Sequence, residues 1–315
     1  MFIKRIALIF SCMMILGAMT ACAGGHTHTE NDKWETDSKE HWKQCDDCEE
    51  KTEIGEHTLN DESKCIVCGS EIIDLGDTVS VYTYDEQGNI TRIAEYDAEN
   101  NLVSDIANEF EYDSDGNILK EAQYIDGKLC GEAEYTVADG ESIPTKYTGY
   151  YEDGSKYVNE YDSYGNISKM ISYNADGTVE LQIESQYAQG TDGEWYEVNR
   201  TESYSDGTKI ECEYNEQADI LTRVCYDADG NKSETETWEY TYDADGNKST
   251  EKYYVEGVIA QEMEYAVVSE DGGTYCYPET IVDYNEDGSK KVCVYNENDE
   301  LLSETQYDAS GNVVE

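Results

Sequence analysis

One short phrase, Tyr-Asp-Ala-Asp-Gly-Asn, stands at Tyr226–Asn231 and again sixteen residues later at Tyr242–Asn247. Variants fill most of the chain: "YDEQGN" from Tyr84, "YDSDGN" from Tyr112, "YDSYGN" from Tyr161, "YNADGT" from Tyr173, "YNEDGS" from Tyr284 and "YDASGN" from Tyr307. Such self-similarity constrains the fold before any composition figure does, because each unit must be one small element packed on its neighbours. The phrase has the chemistry of a hairpin turn. Asp caps the entry, and Gly takes the left-handed conformation that closes a short loop.

The residues between turns alternate with period two, as half-buried strands do. Two positions before the tyrosine the residue is usually apolar, as at Ala94, Phe110, Ile171, Cys212, Val224 and Cys293. One and three positions before it, acids and amides are common, as at Glu109, Glu111, Glu121, Gln123, Glu211 and Glu213. The expectation is tyrosine and aliphatic on one face and solvated acid on the other. Strands joined by such short turns are antiparallel neighbours. The fold class expected is all-β: tandem antiparallel hairpin repeats, about eighteen strands, forming a curved or coiled sheet that covers its apolar face.

A larger period overlies the small one. The tyrosine gaps 12, 16, 12, 11, 15, 11, 12 from Tyr84 return as 12, 16, 12, 11, 19, 11, 12 from Tyr214. The chain therefore holds a duplication offset by 130 residues, with a partial third copy from Tyr161 to Tyr226. Each copy carries one long insertion, at 136–149, 188–203 and 266–283. These are expected to be irregular loops, the place where recognition usually sits on a rigid scaffold.

These units resemble the YD repeats of RHS-type bacterial surface and secreted proteins. The likeness covers residues 80 to 312, with "YDADGN" the close match and "YIDGK", "YVEGV" and "YNENDE" loose ones. It implies strips of β-hairpins wound into shells or ribbons, and surface placement. Many such proteins end in a toxin, whereas this chain stops inside a unit, so toxin delivery is not carried over.

The chain opens "MFIKRIALIFSCMMILGAMTAC". Lys4 and Arg5, an apolar run to Met19 and a small-residue junction make a secretory signal, too short for a comfortable span. "MTAC" resembles the bacterial lipobox, with Met19 where Leu is commoner, and that resemblance implies lipid on Cys22. Residues 1–21 are then signal peptide and 22–40 a polar tether. The mature chain is expected to be extracytoplasmic, at the cell membrane or cell surface, held through its N-terminal lipid.

Residues 41–75 form a Cys/His module. Cys45-x2-Cys48 and Cys65-x2-Cys68-Gly69 have the spacing of a zinc ribbon, each pair offering two thiolates on a tight turn. His41 and His57 precede the two pairs and are candidates to replace a cysteine or support one from outside. Disulfides are the competing reading in this compartment, although a Cys-x2-Cys bridge closes too small a loop to stabilise much. With only Ile54, Leu59, Ile66 and Val67 for a core, the module needs a staple, and structural zinc is favoured.

The body, 76–315, contains all 28 tyrosines, and the whole chain carries 71 acidic against 21 basic residues. A net charge of −50 excludes nucleic acid as a partner. Asp113, Asp115, Asn117 and Asp243, Asp245, Asn247 echo the start of a calcium loop, but the later ligands are missing, so specific calcium binding is a weak expectation. All four histidines precede the repeats, which rules out a Ser-His or Cys-His pair in the body, and no enzyme is expected. The functional expectation is a non-enzymatic binding or adhesion module whose partner is a glycan, cell-wall polymer or protein. Its contact candidates are Tyr147, Trp195, Tyr196, Tyr275 and Tyr277 on the insertions. The alternatives are a structural spacer of the envelope and a carbohydrate-binding accessory protein.

Overall fold

The structure, a computed structural model, describes residues 30–46, 48, 50–270 and 273–314. The signal sequence, Cys22 and residues 23–29 of the tether lie outside the described residues, while the rest of the span expected to be a polar tether is ordered, with Glu30–Thr36 a strand. Everything regular among the described residues is strand. Two compact units divide the chain, meeting at Gly165–Asn166.

In the first unit a three-stranded antiparallel sheet comes first: β1 (Glu30–Thr36), β2 (Glu40–Cys45) and β3 (Lys51–Glu56), in that spatial order. A loop carrying Cys65 and Cys68 then feeds eight consecutive hairpin strands, from Glu71–Asp74 to Lys156–Tyr161. That sheet begins inside the span assigned to the Cys/His module, because Glu71–Asp74 already pairs with Thr78–Tyr84. The second unit is a meander of twelve strands, from Ile167–Tyr173 to Val313–Val314.

The turn phrase works as its chemistry dictates. At Asp243 the amide donates to the Asn247 carbonyl (2.9 Å), and the Gly246 amide donates back to the Asp243 carbonyl. Asp243 Oδ1 accepts the amides of Asp245 and Asn247, and Oδ2 accepts the Asn247 side chain, all at 2.9 Å. Gly246 has φ of +85°, a region that costs a Cβ-bearing residue. The same lock recurs at Asp113 and Asp227.

The tyrosine marks a second device. Tyr112 stands opposite Ile118 while Glu111 stands opposite Lys120, so Leu119 is squeezed out as a bulge. The same slip occurs at Tyr84, Tyr96, Tyr124, Tyr173, Tyr214, Tyr226, Tyr242, Tyr254 and Tyr295. It also occurs at Tyr135, Tyr187 and Tyr265, where the turn is several residues further on. The bulge therefore does not depend on the distance to the turn, although Tyr150 and Tyr284 pair in register without one. The chain has only two prolines, and both, Pro144 and Pro278, stand at this bulge, opposite Tyr135 and Tyr265. Proline cannot donate to a ladder and is tolerated at a bulge.

The insertions are not irregular loops. Each lengthens a hairpin: Lys128–Ala138 with Glu141–Tyr150, Val179–Gln189 with Trp195–Tyr204, and Val258–Glu270 with Gly273–Tyr284. Extra residues arriving on both sides of a turn can satisfy their backbone groups by extending the ladder.

The expected separation of faces also fails. Register puts Tyr124 opposite Ala107, hence on the face of Glu109, whereas Tyr112 in that strand lies on the other face. Tyr112 and Tyr124 therefore lie on opposite faces, whereas Tyr187, Tyr204 and Tyr214 share one. The acid three positions before one tyrosine is the acceptor for the next: Tyr124 donates to Glu109, Tyr135 to Glu121, Tyr150 to Glu132 and Tyr226 to Glu211. In the later copy Tyr254, Tyr265 and Tyr284 donate to Glu239, Glu251 and Glu262. The sheet is stitched by these diagonal cross-strand pairs, and most tyrosines are half-buried. One cluster of fully buried apolar side chains is described, Val81, Ala94 and Tyr96, with Ile72 and Leu102 against it.

Candidate metal centre

That cluster lies next to the Cys/His module. His41 is on β2, opposite Gly55 of β3. A Cβ on Gly55 would stand 3.1 Å from His41 Nε2, so the ring lies against the strand where only glycine leaves room. Trp34 meets the other side edge-on, with ring centroids 4.9 Å apart. His41 is 4 % exposed.

His57 follows β3. Its Nε2 is 2.9 Å from the Asp37 carbonyl oxygen and 3.1 Å from Thr36 Oγ1. A carbonyl only accepts, so Nε2 carries the proton and Nδ1 keeps a lone pair. That lone pair faces the Cys68 sulfur, 3.8 Å away, and His41 Nδ1 lies 3.7 Å from the Cys65 sulfur.

The cysteines sit on a loop wound for the purpose. The Cys65 amide donates to the Ser70 carbonyl (2.8 Å), and the Gly69 amide to the Cys65 carbonyl (2.9 Å). Gly69 has φ of +75°. Burial pushes the Cys65 thiol up, but backbone groups of Cys68, Val67 and Thr58 and the His57 side chain outweigh it and bring it down to about 6. Burial raises Cys68.

The four ligand atoms of His41, His57, Cys65 and Cys68 all lie within 4.8 Å of one another. Bond lengths of about 2.3 Å to sulfur and 2.05 Å to nitrogen give a sulfur–nitrogen edge of about 3.6 Å in a tetrahedron. The observed 3.7 and 3.8 Å fit that edge. Two imidazoles and two thiols suit a soft or borderline divalent ion. Cys65 and Cys68 are free thiols.

The other pair is placed differently. Cys45 ends β2, is buried, and donates its amide to the Glu50 carbonyl at 3.0 Å, repeating the Cys65–Ser70 pattern. Cys48 is half-buried. Neither is among the four converging ligands. Sequence spacing weighted the two Cys pairs equally and missed Thr36, Asp37 and Gly55. A lone glycine inside the strand run "KTEIGE" was the available signal of a close approach.

The aromatic candidates are spread along ladders. Tyr147 faces Ala133, its ring 5.8 Å from that of Tyr157, and burial pushes its hydroxyl up to about 12. Trp195 and Tyr196 adjoin in one strand and so point to opposite faces. Tyr275 and Tyr277 share a face, opposite Val268 and Ala266. Tyr275 is exposed. The turn carboxylates proposed for calcium are already engaged by their own turns, Asp113 and Asp243 both being held well below the usual range, first by the asparagine side chain.

No family model matches the chain, and no curated protein matches it. Among solved structures it is similar to TcdB2-TccC3-TEV, at 13 % identity and a TM-score of 0.26, covering 88 % of this chain and 16 % of that one. The chain thus spans about a sixth of that protein's length. It is also similar to a porin-like protein from Bacteroides uniformis ATCC 8492, at 13 % identity and a TM-score of 0.25, covering 75 % of this chain and 92 % of that one. Likeness at these scores carries no functional argument.

Proposed function

We propose that the chain is a lipid-anchored extracytoplasmic protein whose repeat sheets form a non-enzymatic binding or adhesion module. The observation that carries this reading is the three lengthened hairpins. Ordinary units stop a few residues after the tyrosine bulge, whereas these run on as paired strands. Residues added beyond what the repeat needs to fold are available for contact, and they bring Tyr275 and Tyr277 with them. The signal and the "MTAC" junction support anchoring through Cys22. The metal at His41, His57, Cys65 and Cys68 is zinc in a structural role, because the site offers four protein ligands and so fills a tetrahedral shell.

The test is binding of the purified chain to an array of glycans, peptidoglycan and host matrix proteins. Saturable binding to one class supports the module, and absence of binding to all of them overturns it in favour of a spacer. Metabolic labelling with an alkyne fatty acid tests the anchor: the label should appear on the natural chain and vanish in Cys22→Ala.

A further inference from the structure

We infer that a divalent ion held by His41, His57, Cys65 and Cys68 acts as a clasp that orders the first turns of the repeat sheet. This rests on reading the cluster as a zinc site.

Both halves of the ligand set are tied to that sheet. On the histidine side, the link between β1 and β2 has one flank on the cluster and the other on the repeats. Thr36 Oγ1 and the Asp37 carbonyl face His57 Nε2. The Thr36 carbonyl also accepts the Tyr96 hydroxyl (3.4 Å), and Asp37 Oδ2 accepts the Asn100 side chain (3.3 Å). Ser38 Oγ reaches the other end of the Asn100 amide. Tyr96 belongs to the buried cluster, so the link touches the one apolar core described. On the cysteine side, the loop runs directly into the first strand. The Ile72 amide donates to the Ser63 carbonyl (2.9 Å), and Lys64 bridges to Glu71.

A second observation points the same way. The turn Asp97–Asn101 has asparagine where most of its sisters have glycine: Asn100 has φ of +70°, against +87° for Gly116 and +85° for Gly246. A side chain in that region is strained, and Asn100 is bracketed by Ser38 and Asp37, two residues beside the His57 contact. The line of contact runs from ligand to His57, to Asp37, to Asn100. Loading the site fixes His57 against Asp37 and hence the bracket around the turn. Removing the ion leaves four ligands with no common partner, and the bracket loosens.

The experiment compares the full chain in detergent, zinc-loaded and after chelation, by hydrogen–deuterium exchange, with zinc stoichiometry read by native mass spectrometry. Amides from 96 to 101 should exchange about tenfold faster without metal, as local opening becomes easier, while the turns at 227–231 and 243–247 stay unchanged. Re-adding zinc should restore protection. In Asn100→Gly, which deletes the bracketed side chain and relieves the strain, zinc should still bind one to one while the metal-dependent difference at the turn disappears. Stoichiometric zinc with unchanged exchange at 96–101 would overturn the clasp and spare the zinc reading. Absence of stoichiometric zinc would overturn both.

Discussion

Tyr242 donates to Asp219 Oδ2 at 2.6 Å, and the same hydroxyl accepts from Asn215 Nδ2 at 2.6 Å. In the earlier copy the partners have traded places. Tyr112 donates to Asp85 and accepts from Asn89 at 2.8 Å. Asp85 corresponds to Asn215 and Asn89 to Asp219, each offset by 130 residues. The hydroxyl needs one acceptor and one donor, and either order supplies them. Asp85→Asn alone should leave Tyr112 without its carboxylate and destabilise the first unit by about 1 kcal/mol. Adding Asn89→Asp should recover most of that loss, giving a favourable coupling in a double-mutant cycle read by urea unfolding. Additive losses would mean the hydroxyl contributes nothing through this pair.

The stitches between tyrosine and carboxylate predict how stability depends on pH. Tyr84, Tyr112, Tyr242 and Tyr253, first through burial and then through Glu71, Asp85, Asp219 and Glu236, are pushed up to about 12. Tyr150 and Tyr284 reach about 12 first through their hydrogen bonds to Glu132 and Glu262. An unfolded tyrosine titrates near ~10. Between those values the folded chain keeps protons the unfolded chain has shed, so stability falls as pH rises from about 10 towards 12. On the acid side, Lys209 and then Tyr226 hold Glu211 down, and Tyr284 holds Glu262 down despite its burial. Their contribution is present above the ordinary glutamate value and is lost as pH falls below it. The contribution of these tyrosine and glutamate groups to the urea midpoint should be level from about pH 5 to 9 and fall away on both sides. Phenolate absorbance should show a late-titrating class that disappears in urea. A titration of all tyrosines at the ordinary value would sink this account.

Hairpin turns, strand type and the 130-residue duplication were legible because each is written locally, in Asp-x-x-Gly-Asn and in the spacing of tyrosines. The face each tyrosine takes was not, since it depends on which residue of one strand stands opposite which of the next. The bulge beside tyrosines such as Tyr112 and Tyr124 shifts that register by one, and a count along a single strand cannot see it. The acids three positions before each tyrosine looked solvated for the same reason: their partner is on the following strand. At the metal centre the chemistry was visible and the grouping was not. His41 and His57 converge on Cys65 and Cys68 because β2 and β3 pair and the loop folds back over them, while Cys45 sits at the far end of β2. Ala218 shows the limit of motif matching in the other direction, for it takes φ of +62° in the place where Gly88 takes +83°.

Tyr147 is better explained by packing than by a ligand. A Cβ built on Gly131 would stand 2.6 Å from its hydroxyl oxygen and 3.2 Å from Cζ. The ring crosses a glycine on the neighbouring strand, and Gly149 is covered in the same way by Tyr157. Gly131→Ala should therefore cost about 1–3 kcal/mol through overpacking. Combining it with Tyr147→Phe, which removes the clashing oxygen, should return part of that in a double-mutant cycle. Tyr147→Phe alone should leave any ligand binding intact. A binding defect without loss of stability would restore Tyr147 as a contact residue.

The lengthened hairpins permit a direct separation of folding from recognition. In the ordinary unit Tyr124 stands opposite Leu129, Ile125 opposite Lys128, and Asp126-Gly127 makes the turn. In the lengthened one Tyr135 stands opposite Pro144 and Thr136 opposite Ile143, then two further pairs, Val137–Ser142 and Ala138–Glu141, precede the turn at Asp139-Gly140. Deleting Val137, Ala138, Glu141 and Ser142 should leave Thr136 joined to Asp139-Gly140-Ile143, the geometry of the ordinary unit. The two turns are matched in backbone, with Asp126 at φ +49° and Asp139 at +53°, and Gly127 at +74° and Gly140 at +81°. The shortened chain should fold with an unchanged strand signal by circular dichroism and a urea midpoint close to that of the parent, because the bulge at Tyr135 survives. If the extension is a contact element, binding to whichever polymer the parent recognises should weaken at least about tenfold, or about 1.4 kcal/mol. Unaltered binding after the equivalent shortening of all three hairpins would remove recognition from these extensions, and collapse of the fold would show that the added pairs serve stability instead.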